Sequence, residues 1–452
     1  MAKFGSLDRR SFIKKAGFSA LAGAAGAAGT LATTSTASAQ SSSQSRMANG
    51  RYDFDTVYNR VGSNCSRWDG PATRYPEGEF KFGMGVASMD YECAPCITEA
   101  LEKRIQHHSW GYMASRDDLY EGIVNWNGEY HNIDLDRREI TLSDAVYPGM
   151  IAGMRSFIPP GGKVLIMSPA YSGFYTMARA ANVQTVDSKM TYNNGRWAPD
   201  WADLEAKMTS DVRALIVCNP HNPTGNVWTE DELLRMGRLA LENDVVVLSD
   251  EIHSDVVRDG HRYRPFASLP DRAVVENSIT CNAISKTFNL AGMKSAYYYS
   301  KSPKMLERVN QYHFADISTL GVVANVAAYK EGREWFEQAN AYMDGLHDVV
   351  ENFVTTRMES VGYTRNEGTF MTFLDFSKTM EAIDAKGQYE AHGARTPEHY
   401  FQDWLVHNSG VYLNPGSTYG TGGEGHMRMN IASARSVLEG ALESLANAVN
   451  RV

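Results

Sequence analysis

Short apolar runs alternate with helical patterns in the middle of the chain. Four runs are continuously aliphatic or β-branched, as in strands buried on both faces of a sheet, and they lie at 163–167, 214–218, 245–249 and 278–281. A helical pattern covers 229–243, where Thr229 and Glu232 form a capping box. Strand, helix and strand in this order predict an α/β fold with a mostly parallel sheet covered by helices.

The last third of the chain shows a second group of elements. The pattern predicts two strands and a final helix, at 370–376, 428–431 and 436–449. We therefore expect a large domain over 91–326 and a smaller α/β domain built from 51–90 and 327–452.

The N-terminus has the three parts of an export signal. Arg9 and Arg10 lie in a basic stretch, an Ala/Gly-rich apolar stretch covers 16–32, and a small-residue cleavage site precedes Gln40. The paired arginines resemble the twin-arginine signal, which exports folded proteins. We expect a signal peptide over 1–39, a flexible Ser/Gln-rich linker over 40–50, the twin-arginine export machinery as a partner, and a periplasmic location.

Charge and composition narrow the class of protein. The chain carries a net charge of −9 at pH 7, and without residues 1–39, which carry +4, the remainder carries −13. This acidic body argues against binding of nucleic acid or of anionic membranes. No later segment approaches the ~18 apolar residues of a membrane span, so we expect none in the mature protein.

The five cysteines do not indicate a disulfide framework or a metal site. Cys93 and Cys96 have the spacing of some metal and redox sites, but no second Cys or His pair accompanies them. We interpret them as ordinary thiols at the start of a helix and expect no metal. A disulfide between them after export stays an alternative.

Each of the four buried runs is followed by polar residues. The four polar groups begin at Ser168, Asn219, Asp250 and Asn282. Because ligands of open parallel sheets bind beyond the carboxyl ends of the strands, these residues predict one crevice.

Two residues at these strand ends indicate which chemistry the crevice could perform. Lys286 would be costly to bury charged, so it either extends its amine to solvent or has a chemical role. A carboxylate at the end of an apolar strand, such as Asp250, needs a cationic partner. A protonated pyridine nitrogen would supply one.

The motifs at these strand ends resemble a known enzyme family. They read Asn-Pro-His-Asn-Pro-Thr-Gly at 219–225, Ser-Asp-Glu-Ile-His at 249–253 and Ser-Lys-Thr-Phe-Asn-Leu-Ala-Gly at 285–292. In residue type, order and spacing they are similar to the class I/II aminotransferase-fold family of pyridoxal-phosphate (PLP) enzymes, and they look most like its cystathionine β-lyase branch. The resemblance runs from about residue 54 to the C-terminus and implies the fold type I of PLP-dependent transferases.

The resemblance implies a role for each of five residues. Lys286 would hold PLP as a Schiff base and Asp250 would pair with its pyridinium nitrogen. Asn222 would bind the ring oxygen and Tyr171 would stack on the ring. Arg428 would bind the carboxylate of an amino-acid substrate, which its planar guanidinium suits.

The resemblance also implies a phosphate site and a second subunit. Ala145 and Val146, at the start of a helix, match the family's phosphate turn, and Ser285 and Lys294 would contribute to the same site. Tyr112 matches a tyrosine that reaches the phosphate of the neighbouring subunit. The enzyme would therefore be a homodimer with shared active sites.

At four positions the residue type changes or refines what the resemblance implies. Ala283 stands where many relatives have a serine that binds phosphate, Lys294 stands where many have an arginine, and Asp144 places a negative charge beside the phosphate turn. His253 occupies a position that is often tyrosine in aminotransferases and histidine in the lyase branch. It favours the lyase reaction and a place near the ring oxygen.

Three reactions share the same first steps, in which Lys286 is displaced and removes the Cα proton. Loss of a sulfur group at Cβ would give pyruvate, ammonia and a thiol from cystathionine or a cysteine S-conjugate. Protonation at the cofactor's C4′ would give transamination, and reprotonation at Cα from the other face would give racemisation. We expect β-elimination, with aminotransferase and racemase as alternatives and a non-catalytic PLP-fold binding protein as a remote one.

Overall fold

The computed structural model describes residues 50–452. The predicted signal peptide and nearly all of the predicted linker lie outside these residues. The described residues form fourteen strands, in chain order β1 (Phe82–Gly83), β2 (Ile140–Ser143), β3 (Lys163–Ser168), β4 (Gln184–Lys189), β5 (Thr191–Asn193), β6 (Arg196–Ala198), β7 (Val212–Cys218), β8 (Val246–Asp250), β9 (Ser278–Asn282), β10 (Ala296–Tyr299), β11 (Met371–Asp375), β12 (Val411–Tyr412), β13 (Asn414–Pro415) and β14 (His426–Asn430).

The same residues form the helices that cover the sheets. These are α1 (Asp69–Ala72), α2 (Pro95–Ile105), α3 (Asp117–His131), α4 (Val146–Phe157), α5 (Ser172–Ala181), α6 (Trp201–Ala206), α7 (Glu230–Glu242), α8 (Arg272–Glu276), α9 (Pro303–Asn310), α10 (Thr319–Glu331), α11 (Arg333–Arg357), α12 (Ser377–Ala382), α13 (Ala385–Gln388), α14 (Pro397–Ser409) and α15 (Arg435–Val449).

A seven-stranded sheet forms the centre of the fold. Its strand order is β2-β10-β9-β8-β7-β3-β4. The five strands from β9 to β4 are parallel, whereas β10 is antiparallel to both of its neighbours. The predicted α/β class with a mostly parallel sheet is confirmed, and the four predicted buried strands correspond to β3, β7, β8 and β9, with their ends shifted by one or two residues.

The helix predicted after β7 is present as α7, and its start has the predicted cap. The Thr229 side chain accepts a hydrogen bond from the Glu232 backbone N–H at 3.2 Å. The Glu232 carboxylate accepts one from the Thr229 N–H at 2.8 Å. Such a cap stabilises a helix by about 1 kcal/mol. Leu233 and Met236 then turn an apolar face toward the sheet, where both are fully buried.

A smaller three-stranded sheet, in the order β11-β14-β13, lies in the C-terminal part. The predicted strands at 370–376 and 428–431 correspond to β11 and β14, and the final helix is α15. β1 pairs in parallel with β12, with Phe82 opposite Val411. This pairing joins the first described part of the chain to the last, while the division into domains at residues 90 and 326 stays a prediction.

The remaining structural expectations concern cysteines, membranes and metals. All five cysteines are free, and the Cys93 thiol lies 3.4 Å from the Thr98 hydroxyl. Along 50–452 none of the helices has both the length and the apolar character needed to cross a bilayer. Over the same range, His, Cys, Asp and Glu side chains form no group of three placed to hold a metal ion.

Candidate active site

A cavity of about 400 Å³ lies at the carboxyl ends of β7, β8 and β9. The polar side chains that line it come from distant parts of the sequence, and they are Asp144, Tyr147, Tyr171, Ser172, Asn222, Asp250, His253, Ser285, Lys286, Lys294, Ser295, Asn414, Tyr419 and Arg428. The predicted crevice beyond the parallel strands is therefore present.

Lys286 follows β9 and directs its amine into this cavity. Its Nζ donates a hydrogen bond to the Ala87 carbonyl oxygen at 2.7 Å. Burial and the positive charge of Arg428 lower the pKa of Lys286 to about 8, although Asp250 acts in the opposite direction. The amine is therefore much more readily deprotonated than that of an exposed lysine.

Asp250 is the last residue of β8 and is only 3% exposed. One of its carboxylate oxygens, Oδ1, accepts a hydrogen bond from the Ile252 N–H at 3.2 Å. Burial raises the pKa of Asp250 to about 7, and the neighbouring Glu251 adds to the rise. A buried carboxylate that accepts so few hydrogen bonds would be stabilised by a cation in contact with it.

Arg428 lies in β14, lines the cavity and is 4% exposed. Its Nη1 donates to Asn222 Oδ1 at 3.0 Å, and its Nη2 donates to the Gly85 carbonyl at 2.8 Å. Its Nε is buried without a hydrogen-bond partner among the described residues. The guanidinium is thus fixed in position and keeps one donor available.

His253 and Tyr171 also line the cavity. His253 is buried, its Nδ1 has no hydrogen-bond partner in the described part of the chain, and its ring meets Phe370 edge to face. Burial, with the charges of Lys286 and Arg428, depresses the pKa of His253 well below its usual value, so the ring is neutral. Tyr171 precedes α5, and burial raises the pKa of its hydroxyl.

The start of α4 forms another wall. Ala145 is its N-cap residue in extended conformation, and no side chain of residues 50–452 caps the helix. The free backbone N–H groups and the positive end of the helix dipole favour an anion here. Ser285, Lys294 and Asp144 line the same cavity, so the predicted phosphate region contains one cationic side chain and one carboxylate.

The sequence of residues 80–445 matches the family described as "Aminotransferase class I and II". The chain belongs to this family. It is 31% identical over 403 residues to the cystathionine beta-lyase PatB of Bacillus subtilis, covering 88% of this chain and all of that protein. It is 27% identical over 373 residues to the aromatic-amino-acid aminotransferase 2 of Thermococcus litoralis, covering 80% of this chain and 90% of that one.

Solved structures of the family share the fold. The PLP-bound C-S lyase from Staphylococcus hominis superposes with a TM-score of 0.80 at 28% identity, covering 88% of this chain and 98% of that chain. Relatives named as lyases and relatives named as aminotransferases are therefore both similar to this protein over most of its length.

One predicted site residue of the family motif lies apart from the others. Tyr112 is fully exposed and is not among the residues that line the cavity. All the other predicted site residues line it, as does Ala283. The predicted role of Tyr112 in a neighbouring subunit stays a prediction, because this role requires a second chain.

Sequence reasoning missed several groups that this family member brings into its site. The carbonyl oxygens of Gly85 and Ala87 accept hydrogen bonds from Arg428 and Lys286. Backbone acceptors have no residue signature, so no pattern could have indicated them. Tyr419 lies 5.2 Å below the Arg428 guanidinium, and its place in the Gly-rich run before β14 was the available signal.

These groups fit PLP. An uncapped helix start suits a phosphate, and a buried carboxylate on β8 suits a protonated pyridine nitrogen. Lys286 offers an amine of lowered pKa, and Arg428 Nε and His253 Nδ1 are buried polar atoms without partners among residues 50–452.

Proposed function

We propose that this protein is a PLP-dependent carbon–sulfur lyase that converts cystathionine or a cysteine S-conjugate to pyruvate, ammonia and a thiol. The observation that carries the proposal is the convergence of Lys286, Asp250 and Arg428 on one cavity of about 400 Å³. Its lyase assignment is supported by the 31% identity to a cystathionine β-lyase over the full length of that enzyme.

Arg428 orients the substrate. Its free Nε and its Nη groups present a planar set of donors that suits the α-carboxylate of an amino acid. Asn222 and the Gly85 carbonyl hold the guanidinium in place before the substrate arrives. Binding therefore loses little side-chain entropy at this residue.

Lys286 holds the cofactor and then moves a proton. With a pKa of about 8, roughly a tenth of the amine is neutral at pH 7, compared with less than a thousandth for an ordinary lysine. The neutral Lys286 Nζ would accept the Cα proton of the bound substrate. The Cβ–S bond then breaks, sulfur leaves with the electron pair, and water converts the remaining enamine to pyruvate and ammonia.

Asp250 sets the electronic state of the site. PLP, when bound, supplies a protonated ring that accepts the electron pair left as a bond to Cα breaks. The Asp250 carboxylate would keep the ring nitrogen protonated, and its burial excludes the water that would weaken this pairing. Asn222 and Tyr171 would hold the ring oxygen and the ring face, with His253 near the ring oxygen and Ala145, Val146, Ser285 and Lys294 around the phosphate.

Transamination is the second candidate, since aminotransferases are also among the relatives. Racemisation stays a further alternative on the same fold. The three reactions differ in products, so one assay of the purified protein with PLP separates them. The proposal expects pyruvate from cystathionine or S-methylcysteine. Conversion of a 2-oxo acid by an amino donor, or formation of a D-amino acid, without pyruvate release would overturn it.

A lysine variant links the reaction to the site. Lys286→Ala is expected to abolish pyruvate release and the absorbance near ~420 nm that a lysine-bound cofactor gives. Lys304→Ala, at an exposed lysine on α9, is the matched control and should retain both. Retention of the absorbance by Lys286→Ala would place the cofactor on another residue.

We propose that the enzyme is a homodimer in which Tyr112 enters the partner's active site. Exposed aromatic side chains support a protein contact on this part of the surface: Tyr112 and Phe314 are 101% and 92% exposed, and Trp110 and Tyr312 are about half exposed. Contacts with a second copy would remove these rings from water.

Mixing two inactive variants tests this arrangement. Lys286→Ala and Tyr112→Ala homodimers would each have two defective sites, whereas a mixed dimer would have one intact site. After exchange of subunits, roughly a quarter of the wild-type activity should return if dimers form at random. Absence of recovery in confirmed mixed dimers would contradict the shared site.

We also propose export of the folded enzyme by the twin-arginine route to the periplasm, supported by Arg9, Arg10 and the small residues before Gln40. A reporter fused to residues 1–45 should reach the periplasm, and replacing both arginines with lysine should retain it inside. Export of the reporter without either arginine would refute the route, and absence of export would refute the location.

A further inference from the structure

A second cleft, of about 480 Å³, lies beside the active-site cavity. Tyr147 and Ser172, at the starts of α4 and α5, line both spaces. Tyr419 lines the active-site cavity, and its neighbours Thr418 and Gly420 line the cleft. The two spaces therefore share a wall, and a substrate side chain that leaves the cavity past Tyr147 and Ser172 would meet this cleft.

Two arginines in the cleft have no acidic partner among residues 50–452. Arg179 Nη2 donates to the Thr176 hydroxyl at 2.9 Å, and Arg395 Nη2 donates to His399 Nε2 at 3.1 Å. Neither guanidinium forms an ion pair with a carboxylate of residues 50–452, although arginines elsewhere in this part of the chain do. Two cationic side chains on one cleft are thus free to bind an anion.

Three carboxylates near the cleft accept hydrogen bonds from other groups. Glu398 is buried and accepts a hydrogen bond from the Gly425 N–H at 3.0 Å. Asp403 accepts one from the Tyr75 hydroxyl at 2.6 Å. Asp187 accepts from the Tyr175 hydroxyl and from the Thr421 N–H, both at 3.0 Å. These carboxylates are therefore engaged by neutral donors, and none of them forms an ion pair with Arg179 or Arg395 within residues 50–452.

Neutral donors complete the lining. Thr396 and Ser417 are linked through their hydroxyls at 2.8 Å, and the Thr396 hydroxyl also lies 2.9 Å from His399 Nδ1. His399 therefore accepts from Arg395 at one nitrogen and donates to Thr396 at the other, which is its neutral form. The uncapped start of α5 at Ser172 adds the positive end of a helix dipole.

We propose that this cleft binds the anionic end of the substrate's sulfur substituent, with Arg179 and Arg395 as specificity-determining residues. The inference rests on the proposed lyase function and names its substrate class: cysteine S-conjugates whose leaving thiol carries a carboxylate or another anion. Arg428 holds the α-carboxylate at one end of the substrate, and the two arginines hold the second anion at the other.

A matched pair of substrates tests the subsite. S-(2-carboxyethyl)-L-cysteine and its amide, S-(2-carbamoylethyl)-L-cysteine, have the same shape and differ by one charge. The wild-type enzyme should prefer the carboxylate by about 10-fold in kcat/KM, mainly through KM. In Arg179→Gln/Arg395→Gln this ratio should fall close to one. The control Arg272→Gln, at an exposed arginine on α8, should keep the wild-type ratio.

Two further measurements separate the possible failures. In Lys286→Ala with saturating PLP, calorimetric titration should show tighter binding of the carboxylate than of the amide, lost when both arginines are replaced. If wild type cleaves neither compound but this difference persists, the lyase proposal fails and the subsite stands. Equal binding of the two compounds, or a wild-type preference unaffected by ~0.5 M salt, overturns the subsite.

Discussion

Arg428 and Asn222 are joined by a buried hydrogen bond of 3.0 Å, although 206 residues separate them in the sequence. The bond connects β14 to the turn after β7, so that the residue assigned to the substrate carboxylate is held by the residue assigned to the cofactor ring oxygen. Substrate binding and cofactor position are therefore coupled through one contact, which has consequences for variants of either residue.

Arg428→Lys should damage the enzyme severely while keeping the charge. The guanidinium has a planar set of donors that reaches Asn222, the Gly85 carbonyl and a substrate carboxylate together. The single ammonium group of lysine cannot replace it. We expect kcat/KM to fall by about 100-fold, mostly through KM, with the cofactor absorbance retained. Steady-state kinetics of Arg428→Lys beside Arg272→Lys measures this, and a change of less than threefold would show that Arg428 does not bind the substrate carboxylate.

The rate of cofactor capture should depend on pH through Lys286. Only the neutral amine attacks the carbonyl carbon of PLP, so capture by the cofactor-free protein should accelerate as pH rises through about 8, the pKa of Lys286, instead of near 10.5. Stopped-flow absorbance near ~420 nm at a series of pH values gives the midpoint.

Arg428 provides the control for this midpoint. Its positive charge lowers the pKa of Lys286, so Arg428→Gln should move the midpoint upward. A midpoint that stays near 8 in Arg428→Gln would exclude the proposed charge coupling, and a wild-type midpoint near 10 would show that burial does not affect this amine.

Asp250→Asn should abolish activity and yet stabilise the cofactor-free protein. The pKa of Asp250 is raised from 3.8 to about 7, so between these values the folded protein binds more protons at this group than the unfolded chain does. Its contribution to the free energy of unfolding therefore falls as pH rises from about 4 to 7 and stays low above 7. The neutral amide avoids this cost, which is on the order of 2–4 kcal/mol.

Urea unfolding of the cofactor-free wild type and of Asp250→Asn at pH 5 and pH 8 tests the sign. The variant's advantage should be larger at pH 8 than at pH 5. An equal difference at both pH values would mean that Asp250 does not titrate in this range.

Gly420→Ala should disturb the loop between the two cavities. Gly420 has a φ of +84°, and an added Cβ would collide with the Tyr175 hydroxyl and approach Asp187 Oδ2 at 2.8 Å. Gly260→Ala is the comparison variant, because its φ of +82° is also positive while no described atom lies within 4 Å of the added Cβ. We expect Gly260→Ala to lower the free energy of unfolding by about 1 kcal/mol and Gly420→Ala by clearly more.

Thermal or urea unfolding of the two glycine variants gives the comparison. Similar losses in both would show that the Gly-rich run tolerates displacement from Tyr175. In that case its glycines serve only the backbone conformation.

Sequence patterns predicted the strands that are buried on both faces, since continuous aliphatic runs leave few other interpretations. They did not predict β10, whose Tyr297, Tyr298 and Tyr299 are all buried. The Tyr297 hydroxyl accepts from Asn127 Nδ2 at 2.8 Å, and the Tyr298 hydroxyl donates to Asn310 Oδ1 at 2.6 Å. For Tyr297 and Tyr298, residues of α3 and α9 supply the partners that make a tyrosine hydroxyl compatible with the core, and local sequence does not show those partners.

Prediction of the candidate site from the sequence has the same limit. Asp250, Lys286, Asn222 and Arg428 follow buried strands or lie in them, so strand prediction and residue chemistry together indicated them. The second cleft was not indicated. Arg179 and Arg395 come from surface helices or loops 216 positions apart, and the absence of acidic partners is a property of the fold rather than of either sequence neighbourhood.

Residues 84–88 form contacts with segments of the chain that are synthesised much later. Ala87 receives the hydrogen bond from Lys286, Gly85 the one from Arg428, and Met84 the one from the Asn430 N–H at 2.7 Å. One of the first described segments to leave the ribosome is therefore completed by one of the last. A nascent chain shorter than about 430 residues lacks Arg428, the residue proposed to bind the substrate carboxylate, or part of the strand that holds it, so any cofactor taken up earlier would occupy a cavity that β14 has not yet completed.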